Sequence, residues 1–204
     1  MDVLLLGTIF AIHTIALISP GPDFFMVMKN SLGRSRLDGI STSAGIALGM
    51  GVHVIYCRAG FAVIISQSIM LFTIFKILSG IYLIWLGITA WKSKSHSENV
   101  TSGNNSDLKK SFIEGFVTNV LNPKASLFFL SLFTIVLPAG LAFADYAIIA
   151  GMLIFDAILW FSLVSFAVTL PKVRAWHAKW SEKVNKFFGA VLVLFGIKLI
   201  LPEK

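Results

Sequence analysis

The sequence predicts an all-α integral membrane protein of about six transmembrane helices, arranged as two inverted three-helix repeats whose first and fourth helices are broken. Three observations carry that expectation. The chain of 204 residues is 56% hydrophobic and only 13% charged, about half the charged share of a soluble domain. Its apolar residues fall in long runs, each near the roughly 20 residues that cross a bilayer. The cations of its loops fall in alternate loops between those runs, the pattern that membrane orientation imposes.

In chain order, the expected spans are 3–28, 40–65, 69–91, 112–137, 144–170 and 187–201. No basic residue precedes the first, and Asp2 is the only early charge, which argues against a cleaved signal peptide. The second carries Ser41, Gly45, Gly49, His53 and Cys57 four residues apart on one face. Small residues at that spacing let helices approach closely, so His53 is expected to face protein, buried and hydrogen-bonded. The fourth and fifth are long, like the first, and the sixth is short. Before the sixth, residues 172–186 place Val173, Trp176, Trp180 and Val184 on one stripe with cations opposite, the signature of an amphipathic helix lying on the membrane surface.

The basic residues fix an orientation. Lys29, Arg34 and Arg36 occupy the first loop, Lys92, Lys94, Lys109 and Lys110 the third, and Lys172, Arg174, Lys179, Lys183 and Lys186 the fifth, while the second and fourth loops have none. The positive-inside rule makes the odd loops cytoplasmic and puts both termini outside. The net charge of +7 belongs to these loops rather than to one patch, so no nucleic acid partner is implied. Residues 93–110 form a polar cytoplasmic linker between a first half, 1–92, and a second, 111–204. Cys57 is the sole cysteine, so no intrachain disulfide can form.

The halves share a pattern. Gly80, Leu83, Gly87 and Ile88 match Gly189, Leu192, Gly196 and Ile197 at one offset, and Phe61-Ala62-Val63 matches Phe166-Ala167-Val168 at a slightly smaller one. A repeat of three helices enters the membrane from the opposite side the second time, so it is inverted. It makes the first and fourth spans counterparts, and proline interrupts both. The first contains Ser19-Pro20-Gly21-Pro22-Asp23, the fourth Asn122-Pro123-Lys124 shortly after Asn119. Proline cannot donate the helical hydrogen bond, and unwound backbone at membrane depth persists only where it is buried or lines a cavity. Two matched breaks therefore point to a transporter's binding site, with half-helix N-termini that suit an anionic group.

Asp23, Arg58, Lys124 and Asp156 are four ionisable residues within the expected spans. A charge there costs roughly 2.5–3.5 kcal/mol on insertion scales unless paired or hydrated. Arg58 and Asp156 come at similar depth and are candidates for a structural pair, with outward snorkelling the alternative for Arg58. Asp156 is also a candidate proton or ammonium site. His13, His53 and Cys57 raise a metal site without any recurring ligand spacing. No nucleophile elbow, zinc-protease helix or phosphate loop occurs, so neither enzymatic activity nor a cofactor is expected.

These residues resemble the LysE/RhtB family of bacterial amino-acid exporters. The likeness rests on Pro20-Gly21-Pro22-Asp23-Phe24-Phe25, the stretch 45–51, Leu86-Gly87 and Asn122-Pro123-Lys124-Ala125; Ser19 with Asp23 and Phe24-Phe25 is closer to the threonine/homoserine branch than to the lysine branch. It implies export of neutral amino acids (threonine, homoserine or leucine-like) from the cytoplasm by secondary transport coupled to protons. A homo-oligomer is compatible with that architecture. Arg58 departs from the pattern, which calls for a small or apolar residue. The expected mechanism is alternating access around Ser19–Asp23 and Asn119–Lys124, with the substrate carboxylate at half-helix amides and Lys124, its ammonium at Asp23 or Asp156, and one of those carboxylates carrying the proton. The rival readings are a metal-ion exporter and a non-transporting membrane subunit that binds a partner.

The orientation is testable by cysteine labelling in a Cys57→Ser background. Val3→Cys should react with an impermeant maleimide from outside, and Ser93→Cys only after the membrane is opened. The reverse pattern would contradict the topology.

Overall fold

The computed structural model describes residues 3–19, 21–59, 69–92, 106–133, 137 and 141–201. Eight helices run through the described residues: α1 Val3–Ile18, α2 Pro22–Gly33, α3 Arg36–Arg58, α4 Ile69–Lys92, α5 Leu108–Val120, α6 Pro123–Ser131, α7 Phe143–Val168 and α8 Pro171–Ile200. Pro20, Phe61-Ala62-Val63 and most of the linker, including Lys94, lie outside the described residues.

Local chemistry sets the boundaries. Pro22 and Pro123 occupy the first turns of α2 and α6, where a missing amide hydrogen and a fixed φ do no harm. Ser35 caps α3 by accepting from the Asp38 amide, and Asp107 caps α5 by accepting from that of Lys110, as side-chain oxygens do at helix starts. The expected surface helix and sixth span are instead one continuous helix of 30 residues, α8. Nothing between Lys172 and Ile200 forces a stop: Gly189 and Gly196 are tolerated inside the helix, and proline stands only at its first turn.

Two of these helices, α3 and α7, are long and apolar enough to cross a membrane, and the pair α1–α2, bent by 59°, makes a third candidate. The distribution of polarity supports a lipid surround. On α7, Ile148, Phe155, Leu159 and Leu163 are exposed while Asp156 and Ser165 are buried. A soluble protein rarely exposes so continuous an apolar face.

The interior has two parts. In the larger, α3 packs against α5 and α7, and α2 fills the space among them. Ile46 and Met50 of α3, Phe129 of α6 and Leu153, Ala157 and Phe161 of α7 form its core. The face of α3 that carries Ser41, Gly45, Gly49, His53 and Cys57 lies inward as its spacing implied. An added Cβ on Gly45 would sit 2.0 Å from the Phe112 carbonyl oxygen, and one on Gly49 2.8 Å from Asn119 Oδ1. Gly115 of α5 meets the Thr42 carbonyl at 2.2 Å in the same way. In the smaller part α4 lies along α8. Gly80 faces Gly196 and Gly87 faces Gly189, with Cβ-to-carbonyl approaches of 2.9 and 2.6 Å, so the two helices run antiparallel. Phe25 and Met26 of α2 join this pair through Leu83, Leu86 and Leu192.

Polar side chains tie one end of the larger bundle. Asp38 accepts from Ser35, Ser106 and Ser111 hydroxyls and from the Asp107 amide at 2.6–3.0 Å. Arg34 grips Glu114 through both guanidinium nitrogens, at 3.0 and 3.3 Å, and also reaches Ser111 and Asn30. These bonds join α2, α3 and α5 beside the end of the linker.

Gly45→Ala should lower stability by about 1–3 kcal/mol, the usual cost of overpacking a close contact. Gly151→Ala meets nothing within 4 Å and should be neutral or slightly stabilising. Thermal unfolding in detergent reads both, and equal losses would contradict the packing described.

Candidate functional site

The two breaks lie side by side. After Ser19 the chain restarts as α2 with Gly21 as N-cap and Pro22 next. After Leu121 it restarts as α6, where Asn122 caps the helix by accepting from the Lys124 amide at 3.0 Å. Each break supplies what the other lacks. The Lys124 ammonium donates to the Ser19 carbonyl, freed where α1 ends. Asn122 Nδ2 donates to Asp23 Oδ2 at 2.9 Å, and Asn119 Nδ2 donates to the same oxygen at 2.9 Å.

Asp23 is thus a buried carboxylate, 7% exposed, with one oxygen bonded twice and the other, Oδ1, without a partner. A buried acceptor left so forfeits about 1–3 kcal/mol; such a group in a native interior is a place for a ligand or a water. Asn119 is held on a second side, since its carbonyl accepts from His53 Nε2 at 3.0 Å. A carbonyl cannot donate, so Nε2 carries the hydrogen and Nδ1 accepts from the Tyr56 hydroxyl at 2.9 Å. Stacking of His53 on Phe129, 5.4 Å between centroids, fixes the ring.

A small cavity of about 40 Å³ opens at the breaks, lined by Ser19, Gly21, Asp23, Asn122 and Lys124 and walled by His13, Leu17, Met50, Phe128, Phe129 and Phe161. Gly21 matters here for space: an added Cβ would come 3.3 Å from Lys124 Cδ and 3.6 Å from its ammonium nitrogen. Pro22 and Pro123 face an adjoining cleft of about 450 Å³ toward α4 and α8, lined also by Phe25, Leu83, Phe187 and Leu192.

Of the residues singled out in the sequence, Ser19, Gly21, Pro22, Asp23, Asn119, Asn122, Pro123 and Lys124 come together; Pro20 lies outside the described residues. Asp156 stands apart from them, behind His13. Its Oδ2 receives His13 Nδ1 at 2.7 Å, and the Thr14 hydroxyl is 3.1 Å away. The expected pairing of Arg58 with Asp156 is not formed. Arg58 instead lies over the Tyr146 ring, 4.8 Å from its centroid, a cation–π contact that leaves it exposed. His13 is the residue that sequence reasoning left out of the site. The signal was the stripe Ile9, His13 and Leu17, all buried; in a helix apolar on every side that stripe has no contrast to mark it. Among the described residues no three of His, Cys, Asp and Glu gather as a metal site would need.

The family model of the LysE type translocators matches residues 14–203. The threonine efflux protein of Salmonella typhimurium is 32% identical over 210 residues, spanning 98% of this chain and 99% of its own length. That of Escherichia coli is 30% identical over 200 residues, spanning 96% and 97%. The homoserine/homoserine lactone efflux protein of Salmonella typhimurium is 26% identical over 190 residues, 91% of each chain. No solved structure matches the chain.

Asn122→Ala removes the cap of α6, about 1 kcal/mol, together with a hydrogen bond to a charged group, about 1.5–3 kcal/mol. Asn122→Ser should restore the cap alone and recover only the first part. Chemical denaturation in detergent separates the two; full recovery by Asn122→Ser would show that the bond to Asp23 contributes nothing.

Proposed function

The chain belongs to the LysE type translocator family, and from that premise we propose that it exports a neutral amino acid from the bacterial cytoplasm across the inner membrane by proton-coupled secondary transport. The relatives' names make threonine and homoserine the first substrates to test. The observation that carries the reading is the pair of opposite charges at the breaks: Asp23, whose Oδ1 is buried without a partner among the described residues, and Lys124 line one cavity. A zwitterion has the complementary pair. Its ammonium takes the free oxygen of Asp23, and its carboxylate takes Lys124 and the amides that begin α2 and α6. The aromatic wall accommodates a short uncharged side chain.

Alternating access follows from two inverted halves, 1–92 and 111–204, joined by the cytoplasmic linker 93–110 in a chain of six spans. The glycine contacts support that symmetry. If Gly80 corresponds to Gly189 and Gly87 to Gly196, the contact of Gly80 with Gly196 becomes that of Gly189 with Gly87. The contact of Gly87 with Val193 likewise becomes that of Gly196 with Ile84, and both members of each pair occur. With both termini outside, the Arg34–Glu114 pair and the bonds around Asp38 close the cytoplasmic path, and entry of substrate from the cell requires them to part. Pro22 and Pro123 restart the half-helices that move about the site.

Asp23→Asn keeps the size and loses the charge that meets the ammonium; Lys124→Gln loses the charge that meets the carboxylate. Each should reduce labelled threonine efflux from preloaded cells by at least about tenfold, the effect of roughly 1.4 kcal/mol, with the protein still in the membrane. Undiminished efflux by both variants would remove the reading.

A further inference from the structure

We propose that His13 is the residue that takes up the coupling proton, with Asp156 as the counter-charge behind it. The proposal rests on the proton-coupled reading above and names the atom that carries the proton. His13 is 1% exposed and lines the same cavity as Asp23 and Lys124. Its Nδ1 lies 2.7 Å from Asp156 Oδ2; the carboxylate accepts, so Nδ1 carries the hydrogen. In the neutral ring the lone pair is then on Nε2, and Nε2 has no partner among the protein groups. The ring is oriented by its contact with Phe128, 5.3 Å between centroids.

This arrangement differs from that of the two carboxylates. Asp156 is buried, engaged by His13 and Thr14, and does not border the cavity. Asp23 already holds two amide donors and offers its remaining oxygen to the substrate's ammonium. His13 joins the wall of the cavity to a buried negative charge: its Nδ1 faces Asp156, and its Nε2 is buried without a partner among the described residues. The charged groups beside it are Asp156 from α7, bonded to its ring, and, across the cavity it lines, Asp23 from α2 and Lys124 from α6.

The proton's path balances simply. In the outward-open state the Nε2 lone pair forms an N–H bond with a proton delivered by water from the outer side, once the amino acid has left. The imidazolium and the Asp156 carboxylate together carry no net charge, so the unloaded transporter returns without moving an isolated charge through the bilayer. Facing the cytoplasm, the N–H bond breaks, the proton passes to water, and the neutral ring lets the next substrate bind.

The test uses the whole protein in lipid vesicles with the membrane potential clamped at zero and labelled threonine as the probe. A gradient of about one pH unit supports roughly tenfold accumulation per proton exchanged. The wild type should reach that ratio. His13→Gln should accumulate only to about onefold while still exchanging threonine at equal pH, at whatever rate its altered cavity wall leaves; should that variant not reach the membrane, His13→Asn carries the same expectation. Gradient-driven accumulation by the variant equal to the wild type would overturn the proposal. So would loss of equal-pH exchange together with accumulation in a folded variant, which would make His13 a binding or packing group. A wild type that moves threonine without responding to the gradient would instead overturn the proton-coupled reading itself, and the proposal with it.

Discussion

The structure turns on one buried carboxylate. Asp23 sits in the first turn of α2, and the amides that satisfy it come from Asn119, at the end of α5, and Asn122, in the break before α6. Asn119 in turn receives His53 from α3. Four helices are therefore registered through a single polar cluster, in an interior where the nearest alternatives are aliphatic and aromatic. Breaking a buried charge's partnership costs about 3–5 kcal/mol, so these contacts specify where the two broken helices meet. The cluster is nevertheless incomplete: one oxygen of Asp23 is left for something the protein does not supply.

The same economy governs the backbone. A helix interrupted at membrane depth leaves carbonyls that lipid cannot satisfy. Here the interruptions complete each other, Lys124 reaching the Ser19 carbonyl and Asn122 reaching Asp23. Such mutual satisfaction keeps both breaks open as a cavity rather than letting them collapse. It also makes them dependent on one another, and in the proposed export a substrate that drew Lys124 away from Ser19 would loosen the first break, giving the differential affinity for two states that a conformational change requires.

How much of this was legible in the chain follows from what each signal encodes. Proline at 22 and 123 marks a helix restart whatever the surroundings, and the four-residue spacing from Ser41 to Cys57 marks a close-packed face; both were readable and both stand. The contact of Asp23 with residues about a hundred positions later was anticipated only because the breaks matched. The partner of Asp156 was not readable. Equal depth made Arg58 its candidate, but apolar runs fix depth only coarsely: Arg58 meets Tyr146, which stands on α7 about 15 Å along the helix from Asp156, while Asp156 turns toward α1. The continuity of α8 was missed for a related reason: a change from amphipathic to apolar composition marks a change of environment, and the backbone passes through it unbroken.

Binding to the purified protein, with transport set aside, addresses the central claim most directly, because a zwitterion is what the two charges at the breaks would select. Calorimetry in detergent would compare threonine with its methyl ester, which lacks the carboxylate, and with N-acetylthreonine, which lacks the ammonium. Threonine should bind, and each blocked analogue should bind at least about tenfold more weakly, the loss of roughly 1.4 kcal/mol for one missing charged contact. Binding of either analogue as tightly as threonine would mean that Asp23 and Lys124 do not hold the two ends of the substrate.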